Sequence, residues 1–185
     1  LRAYTVPVTQ THDLGELCRL LDHMQTPQGQ TGIRYVRDLG LISLPMGNCY
    51  FEVLDHCPSG NLRRSPALDF GALVSLTEQL NAALHNLHTA GITHGNLCPS
   101  NIFRNGERFV LGGFRTTSPL PSEDDPMDEA CCRSPESLMP VNGYRSTAQD
   151  DYYALGITLA SLFDGRLVYG HLNPTEHRTA IQNNT

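Results

Sequence analysis

The feature that most constrains the fold is a leucine stripe in the middle of the chain. Between residues 68 and 88, leucines recur every three or four positions, at Leu73, Leu76, Leu80, Leu84 and Leu87. That spacing places all five on one face of a long helix, and Gly91 just beyond it is a typical helix stop. A helix with one apolar face is stable only when another layer of structure covers that face. The rest of the chain must therefore supply such a layer.

Strand-like and turn-rich segments on both sides of this helix supply the second layer. Their periodicities and their Pro/Gly turns predict the remaining elements. In chain order these are a strand at 2–8, a helix at 13–24, strands at 33–44 and 49–55, short strands at 101–104 and 108–111, a loop at 118–129 and a helix at 146–163. Ser146 and Gln149 are spaced as a capping box at the start of the last helix. The order of elements predicts a mixed α+β domain.

The charge distribution excludes several classes of function. The chain has 19 acidic and 13 basic residues, a formal charge of −6, and its arginines form no stripe. We therefore expect no nucleic acid as the main partner. No apolar run is long enough to cross a bilayer, so we expect no membrane span. All 13 basic residues are arginine, and the chain contains no lysine at all.

Four short segments carry a resemblance to a known family. Residues 94–101 read HGNLCPSN, residues 111–115 read LGGFR, residues 134–136 read SPE and residues 151–156 read DYYALG. In this order and spacing they resemble the catalytic loop, the D-F-G segment, the A-P-E segment and the start of the αF-like helix of protein kinases. The resemblance implies a protein-kinase-like bilobal α+β fold. Residues 1–57 would form a partial N-lobe and residues 58–185 a partial C-lobe.

The resemblance also implies where each lobe departs from a complete kinase. In these residues the N-lobe lacks the strands of the Gly-rich loop, and the C-lobe is incomplete after the αF-like helix. Two alternatives stay open, namely that the protein lacks these parts or that they lie outside this sequence. Leu54 takes the gatekeeper position, the hinge runs from Asp55 to Cys57, and Phe103 takes a position that usually contacts adenine. A larger ring there, with no glycine loop above it, predicts a former adenine pocket that is filled or open to water. We therefore expect no cofactor and no ATP binding.

The positions that carry charge in phosphoryl transfer are substituted. Such transfer depends on a lysine at the phosphates, on carboxylates that hold metal and on a carboxylate that takes the hydroxyl proton. By the resemblance, Thr5 replaces the lysine, Asn96 the catalytic aspartate and Gly113 the metal-binding aspartate, whereas Asn101 is retained. An amide is no useful base near neutral pH. These substitutions predict a pseudokinase, not an enzyme, with no catalytic residue and no metal ion.

A protein-binding role is the function that these substitutions favour. We expect a scaffold or an allosteric partner that binds one or more proteins of unknown identity. Two alternatives stay open, namely a nucleotide-binding sensor module and a kinase-like enzyme of non-standard transfer chemistry.

Residues that a kinase uses for packing are retained. The resemblance assigns structural roles to Glu16, His94, Phe114, Glu136 and Asp151. His94 is interpreted as a core histidine rather than a general base, and Asp151 as a buried carboxylate that braces the catalytic loop through backbone N–H groups. His85 and His88 lie one turn apart and are more simply solvent-facing than zinc ligands.

A narrower resemblance concerns cellular location. The degenerate catalytic loop, the glycine in the D-F-G position and the missing Gly-rich loop are similar to the rhoptry-type kinases and pseudokinases of apicomplexan parasites. The branch without the Gly-rich loop includes a bradyzoite cyst-wall pseudokinase. This implies secretion into the parasitophorous vacuole, where disulfides form. The same resemblance places Cys98 beside Cys131 and Cys132, so a disulfide from Cys98 to one of them is a hypothesis, with buried free thiols as the alternative.

Overall fold

The computed structural model describes most of the chain. The described residues are 2–7, 19–20, 22–24, 26, 31–34, 36–45, 47–114, 127–138, 144–170, 176, 179–180 and 183. Their strands are β1 (Arg2–Pro7), β2 (Val36–Leu44), β3 (Gly47–Leu54), β4 (Ile102–Asn105) and β5 (Arg108–Leu111). Their helices are α1 (Phe70–Thr89), α2 (Met127–Cys131), α3 (Pro135–Leu138) and α4 (Ala148–Asp164), with 3-10 turns at Leu62–Arg64 and Pro99–Asn101. The prediction of a mixed α+β fold is confirmed.

The strands before α1 form one antiparallel sheet. β2 and β3 form a hairpin, in which Leu44 pairs with Gly47 across a two-residue turn. β1 pairs with the other edge of β3, so the strand order is β1-β3-β2. Of the predicted helix at 13–24, the described residues are helical, and Leu20 and Met24 among them are buried one turn apart.

The central element of the core is α1. Its N-cap residue Asp69 accepts a hydrogen bond from the backbone N–H of Ala72 at 2.8 Å, which is a common way to begin a helix. The side chains that form its buried face are Leu76, Leu80, Ala83, Leu84 and Leu87. Truncation of one buried leucine to alanine typically lowers the free energy of unfolding by about 2–5 kcal/mol. This face therefore stabilises the elements that pack on it.

A close backbone contact joins α1 to the segment before β2. Gly32 has a φ of +73°, and a Cβ there would lie 2.7 Å from the Cβ of Ala83. Glycine is therefore required at this contact. The backbone N–H of Leu111 in β5 donates to Gly32 O at 2.8 Å, and the N–H of Arg34 donates to Leu111 O at 2.7 Å. These bonds hold the backbone of Arg34 beside the end of β5.

The structure differs from the sequence predictions at the start of α4. The capping pair is Thr147 and Asp150, whose carboxylate accepts the Thr147 backbone N–H at 2.7 Å. The predicted pair Ser146 and Gln149 fits the same sequence pattern one position earlier. Asp150 also accepts hydrogen bonds from Ser134 and Tyr144, which lie outside the helix. The capping-box pattern does not include these bonds, and they favour Asp150 over Gln149 as the capping side chain.

Other predictions on the outline of the molecule have mixed outcomes. The predicted loop at 118–129 ends in a helix, since α2 begins at Met127, and residues 118–126 lie outside the described part of the chain. Across the described ranges, no helix combines the length and the apolarity that a membrane span needs. The division into partial lobes at 1–57 and 58–185 stays a prediction.

Candidate functional site

The site is organised by a carboxylate at the start of α4. Asp151 is 1% exposed, and its two oxygens accept the backbone N–H groups of His94 and Gly95, each at 2.8 Å. His88, in the last turn of α1, donates its Nε2 proton to Asp151 at 2.8 Å. Asp151 therefore ties the loop between α1 and β4 to both long helices.

His94 is buried, and its ring is held in one tautomer. The backbone N–H of Asn96 donates to Nδ1 at 3.2 Å, so that nitrogen carries no proton. Nε2 is then protonated, and it donates to the carbonyl of Gly112 at 3.1 Å. The ring packs against Phe114, with ring centroids 4.5 Å apart. Since both ring nitrogens bind backbone groups, His94 positions this loop and has no lone pair available for a substrate.

Near Gly113, two amide side chains bind backbone carbonyls. Nδ2 of Asn96 donates to Gly113 O at 3.2 Å, and Nδ2 of Asn101 donates to Asn96 O at 2.8 Å. Gly113 has a φ of +70°, a conformation that residues with side chains rarely adopt. The two positions that the resemblance aligns with kinase aspartates, Asn96 and Gly113, are thus hydrogen-bonded to each other through an amide and a carbonyl.

Two more predicted positions belong to the N-terminal part of the chain. Thr5 lies in β1, where the pairing with β3 shifts register between Ala3 and Pro7. Glu16, to which the resemblance assigns a structural role, lies outside the described residues. The structural role of Glu16 therefore stays a prediction.

At the hinge end of the site, an arginine joins the predicted pocket residues. Nε of Arg34 donates to the backbone carbonyl of Asp55 at 2.7 Å, and the guanidinium carbon lies 4.3 Å from the ring centroid of Phe103. Leu54 packs partly buried against the core, and Cys57 is a buried free thiol. Sequence analysis did not single out Arg34, because its partners lie 21 or more residues away.

The three cysteines near the catalytic-loop-like segment are free thiols. Cys98, Cys131 and Cys132 are all buried, and no disulfide joins them. The segments do meet as the hypothesis requires, since α2 contacts the turn Pro99–Asn101. Cys98 Sγ lies 3.2 Å from the hydroxyl oxygen of Ser100. The structure thus has the free-thiol alternative in place of the predicted disulfide.

The histidines do not form a metal site in this structure. Across the described ranges, no three His, Cys, Asp or Glu side chains are arranged to hold a metal ion. His85 is exposed, whereas His88 is mostly buried against Asp151. The interpretation of both residues as solvent-facing is therefore wrong for His88. Its pairing with Asp151 spans 63 residues of sequence, so local spacing gave no signal of it.

Comparison with known proteins gives distant and partial matches to proteins named as protein kinases. A probable serine/threonine-protein kinase of Dictyostelium discoideum is 31% identical over 117 residues, 61% of this chain and 23% of that protein. The interferon-induced, double-stranded RNA-activated protein kinase of Rattus norvegicus is 29% identical over 125 residues, 62% of this chain and 24% of that protein. Probable serine/threonine-protein kinase 2 of Autographa californica nuclear polyhedrosis virus is 31% identical over 97 residues, 51% of this chain and 43% of that protein. No family model matches the chain.

Over roughly half to three fifths of its length, the chain is distantly similar to protein kinases. It spans less than half the length of each of these relatives. The kinase-like α+β fold expected from the four motifs is in line with these matches. The rhoptry-type branch and secretion stay predictions.

This similarity corrects one prediction. The chain was predicted to be a pseudokinase and not an enzyme, but the relatives it matches are named as protein kinases. The prediction judged Thr5, Asn96 and Gly113 against the standard route of phosphoryl transfer alone. Substitutions at that route do not by themselves determine whether a kinase-like chain catalyses a reaction.

A second carboxylate links this kinase-like site to the segment at 134–138, and sequence analysis missed it. Asp150 accepts hydrogen bonds from the hydroxyls of Ser134, Tyr144 and Thr147, at 2.6 Å from Tyr144 and 2.8 Å from Thr147. Burial by itself raises the pKa of Asp150, but these hydrogen bonds outweigh it and hold that pKa below its usual value. The burial of Tyr144, together with the neighbouring carboxylate, raises the pKa of the Tyr144 phenol. Glu136, the predicted structural acid of this segment, is exposed in α3.

Proposed function

We propose that this kinase-like domain acts by binding another protein, as a scaffold or an allosteric partner. The observation that supports the proposal is the number of hydrogen bonds that hold the loop at residues 94–101 in place. Asn96 and Asn101 use their amide N–H groups on backbone carbonyls, while the same loop is fastened to α1 and α4 through Asp151. A loop held in this way offers a fixed shape, and fixed shape lowers the entropy lost when a protein partner binds.

The test of this proposal is reconstitution with a purified partner. Proteins that the immobilised chain captures from an extract of its source cells are purified, and their rebinding is measured by calorimetry. We expect one of them to bind in a fixed ratio with a Kd of about 10 μM or tighter, as specific interfaces do. The variant Asn96→Ala removes the amide bond to Gly113 O that helps to fix the loop, so it is expected to weaken Kd. Asp164→Ala, at the far end of α4, is the matched control and is expected to leave Kd unchanged. If no captured protein rebinds, the proposal is overturned.

A second candidate is a kinase-like enzyme whose transfer chemistry differs from the standard route. The names of its relatives favour this candidate. Labelled ATP with Mg²⁺ or Mn²⁺, incubated with the chain and a general protein substrate, tests it. Incorporation of label that exceeds the level of Asn96→Ala supports transfer by the site, and equal incorporation in both removes this candidate.

A further inference from the structure

An open apolar groove runs between α1 and α4, near the end of α4 that lies far from the catalytic-loop-like segment. The groove has a volume of about 400 Å³, and its lining includes Phe70, Leu73, Val74, Leu159, Ala160 and Phe163. Among the described residues, Phe70 and Phe163 are the two most exposed large apolar side chains, at 77% and 64%. Exposed apolar side chains that cluster in this way mark an interaction surface.

The lining of the groove does not suit a polar ligand. Its described residues include no charged side chain, and the hydroxyl of Thr77, which also lines it, donates to the backbone carbonyl of Leu73 at 2.7 Å. Small-molecule sites need a few convergent polar groups that fix the orientation of the ligand. These described residues supply none, so the groove suits the apolar surface of a protein.

The face of α4 beside the groove allows another helix to come close. Gly156 lies one turn before Ala160 and is exposed, and a Cβ at Gly156 would meet no atom within 4 Å. Small residues one turn apart favour a close helix contact, because the distance between two helix axes depends on the side chains between them. Phe163, almost one turn after Ala160, is largely exposed. The same surface therefore carries both a hollow and a protruding ring.

The charges around the groove are compatible with a second copy of this chain as its occupant. The formal charge of −6 makes two copies repel one another over most of their surface. Asp164, next to Phe163, is paired with Arg166, and Asp69, next to Phe70, accepts a backbone N–H as the cap of α1. The centre of the groove carries no charge among its described residues, so two copies can meet there without like charges in contact.

We propose that this groove is the interface of a two-fold symmetric dimer of the chain. In such a dimer one patch serves both copies, so the Phe163 ring of each protomer enters the groove of its partner. Gly156 and Ala160 then let the two α4 helices cross closely. The proposal does not depend on the protein-binding role above, because the loop at residues 94–101 is held at the opposite end of α4.

The size of the apolar surface sets the expected strength of the dimer. The exposed side chains around the groove offer roughly 400–500 Å² per copy. A stable complex usually buries about 800 Å² per partner. We therefore expect a weak dimer, with a Kd of about 10–100 μM.

Sedimentation velocity of the whole chain, between about 1 and 500 μM, tests the proposal. We expect a concentration-dependent dimer in the wild type. In Phe163→Asp and in Val74→Asp we expect Kd to rise by roughly tenfold or more, because each substitution places two like charges in the symmetric interface. Ile42→Asp is the matched control, since Ile42 on β2 is 45% exposed, close to the 41% of Val74, and the change adds the same charge outside the groove.

A wild type that stays monomeric across this range overturns the proposal and leaves the groove to a different occupant. A dimer that persists in both groove variants overturns it as well, as does an equal loss of the dimer in Ile42→Asp. Phe163 and Val74 are exposed, so both variants are expected to fold, which circular dichroism checks. If either fails to fold, Ala160→Glu provides the same test, because Ala160 is exposed and glutamate is a good helix former.

Discussion

Two neighbouring aspartates at the start of α4 have nearly equal burial and different partners. Asp151 is 1% exposed and binds backbone N–H groups of a loop 56 and 57 residues away. Asp150 is 9% exposed and binds hydroxyl groups together with the N–H of its own helix cap. One carboxylate holds the catalytic-loop-like segment, and the other joins Ser134 and Tyr144 to α4.

This difference indicates which set of hydrogen-bond donors can find a new acceptor when its carboxylate is removed. A buried backbone N–H that loses its acceptor has a fixed direction and cannot turn toward water, so it stays unsatisfied. A hydroxyl rotates and can find another acceptor. We therefore expect that the loop at residues 94–101 needs Asp151 in order to fold. Asp150 is expected only to strengthen the contact of Ser134 and Tyr144 with α4.

The largest effect is expected for Asp151→Ala. The change leaves the N–H groups of His94 and Gly95 without their acceptor and removes the partner of His88, so the free energy of unfolding should fall by about 3 kcal/mol or more. Urea titration followed by circular dichroism measures this. Asp164→Ala, at the other end of the same helix, is the control, because Asp164 is exposed and pairs with the nearby Arg166. A similar loss in both variants would show that helix content, rather than the bracing contact, is responsible.

The sequence predicts these parts of the molecule unequally, for physical reasons. The buried face of α1 follows from leucine spacing, because helix periodicity is a local property. Asp151 was found through the family resemblance, since nothing local to residue 151 indicates a partner at His94. Asp150 and Arg34 were missed, and His88 was misinterpreted, because their partners are brought near by tertiary packing.

The second effect is expected for Asp150→Asn. At neutral pH the variant loses the charged acceptor for the three hydroxyls, and the free energy of unfolding should fall by about 1–2 kcal/mol. This is less than for Asp151→Ala, because the hydroxyls can rotate toward other acceptors. Urea titration at pH 7 measures the difference, and a larger loss than for Asp151→Ala would reverse the proposed order of the two carboxylates.

The pH dependence of the same variant tests the cause. The folded pKa of Asp150 is lowered, so the unfolded state binds more protons and its contribution to stability is complete above the usual carboxyl pKa of about 3.9. That contribution is lost as pH falls through the lower folded pKa. Asp150→Asn should therefore lose less stability than the wild type as pH falls from about 5 into the acid range. If the free energy of unfolding falls in parallel for the two proteins as pH decreases, Asp150 is not the group responsible for the acid dependence.

The smallest effect is expected for Tyr144→Phe, which removes one of the hydroxyls on Asp150 and keeps the ring. The hydrogen bond is partly buried and ends on a carboxylate, so the free energy of unfolding at neutral pH should fall by about 0.5–1.5 kcal/mol. The alkaline side gives a sharper readout. Burial and the nearby carboxylate raise the pKa of Tyr144, so its contribution to stability is complete below the usual tyrosine pKa of about 10 and is lost as pH rises above it.

Tyr153 is the matched reference for that titration, because burial and the neighbouring Tyr169 raise the pKa of Tyr153 to about 12 without any contact to Asp150 among its causes. In Asp150→Asn, the phenolate absorbance should therefore shift to lower pH for Tyr144 and stay unchanged for Tyr153, with Tyr144→Phe and Tyr153→Phe used to assign each step. A double-mutant cycle of Tyr144→Phe with Asp150→Asn isolates the pair, since contacting residues are non-additive. If the two losses simply add, the carboxylate holds Ser134 and Thr147 alone, and the attachment of Tyr144 to α4 has another cause.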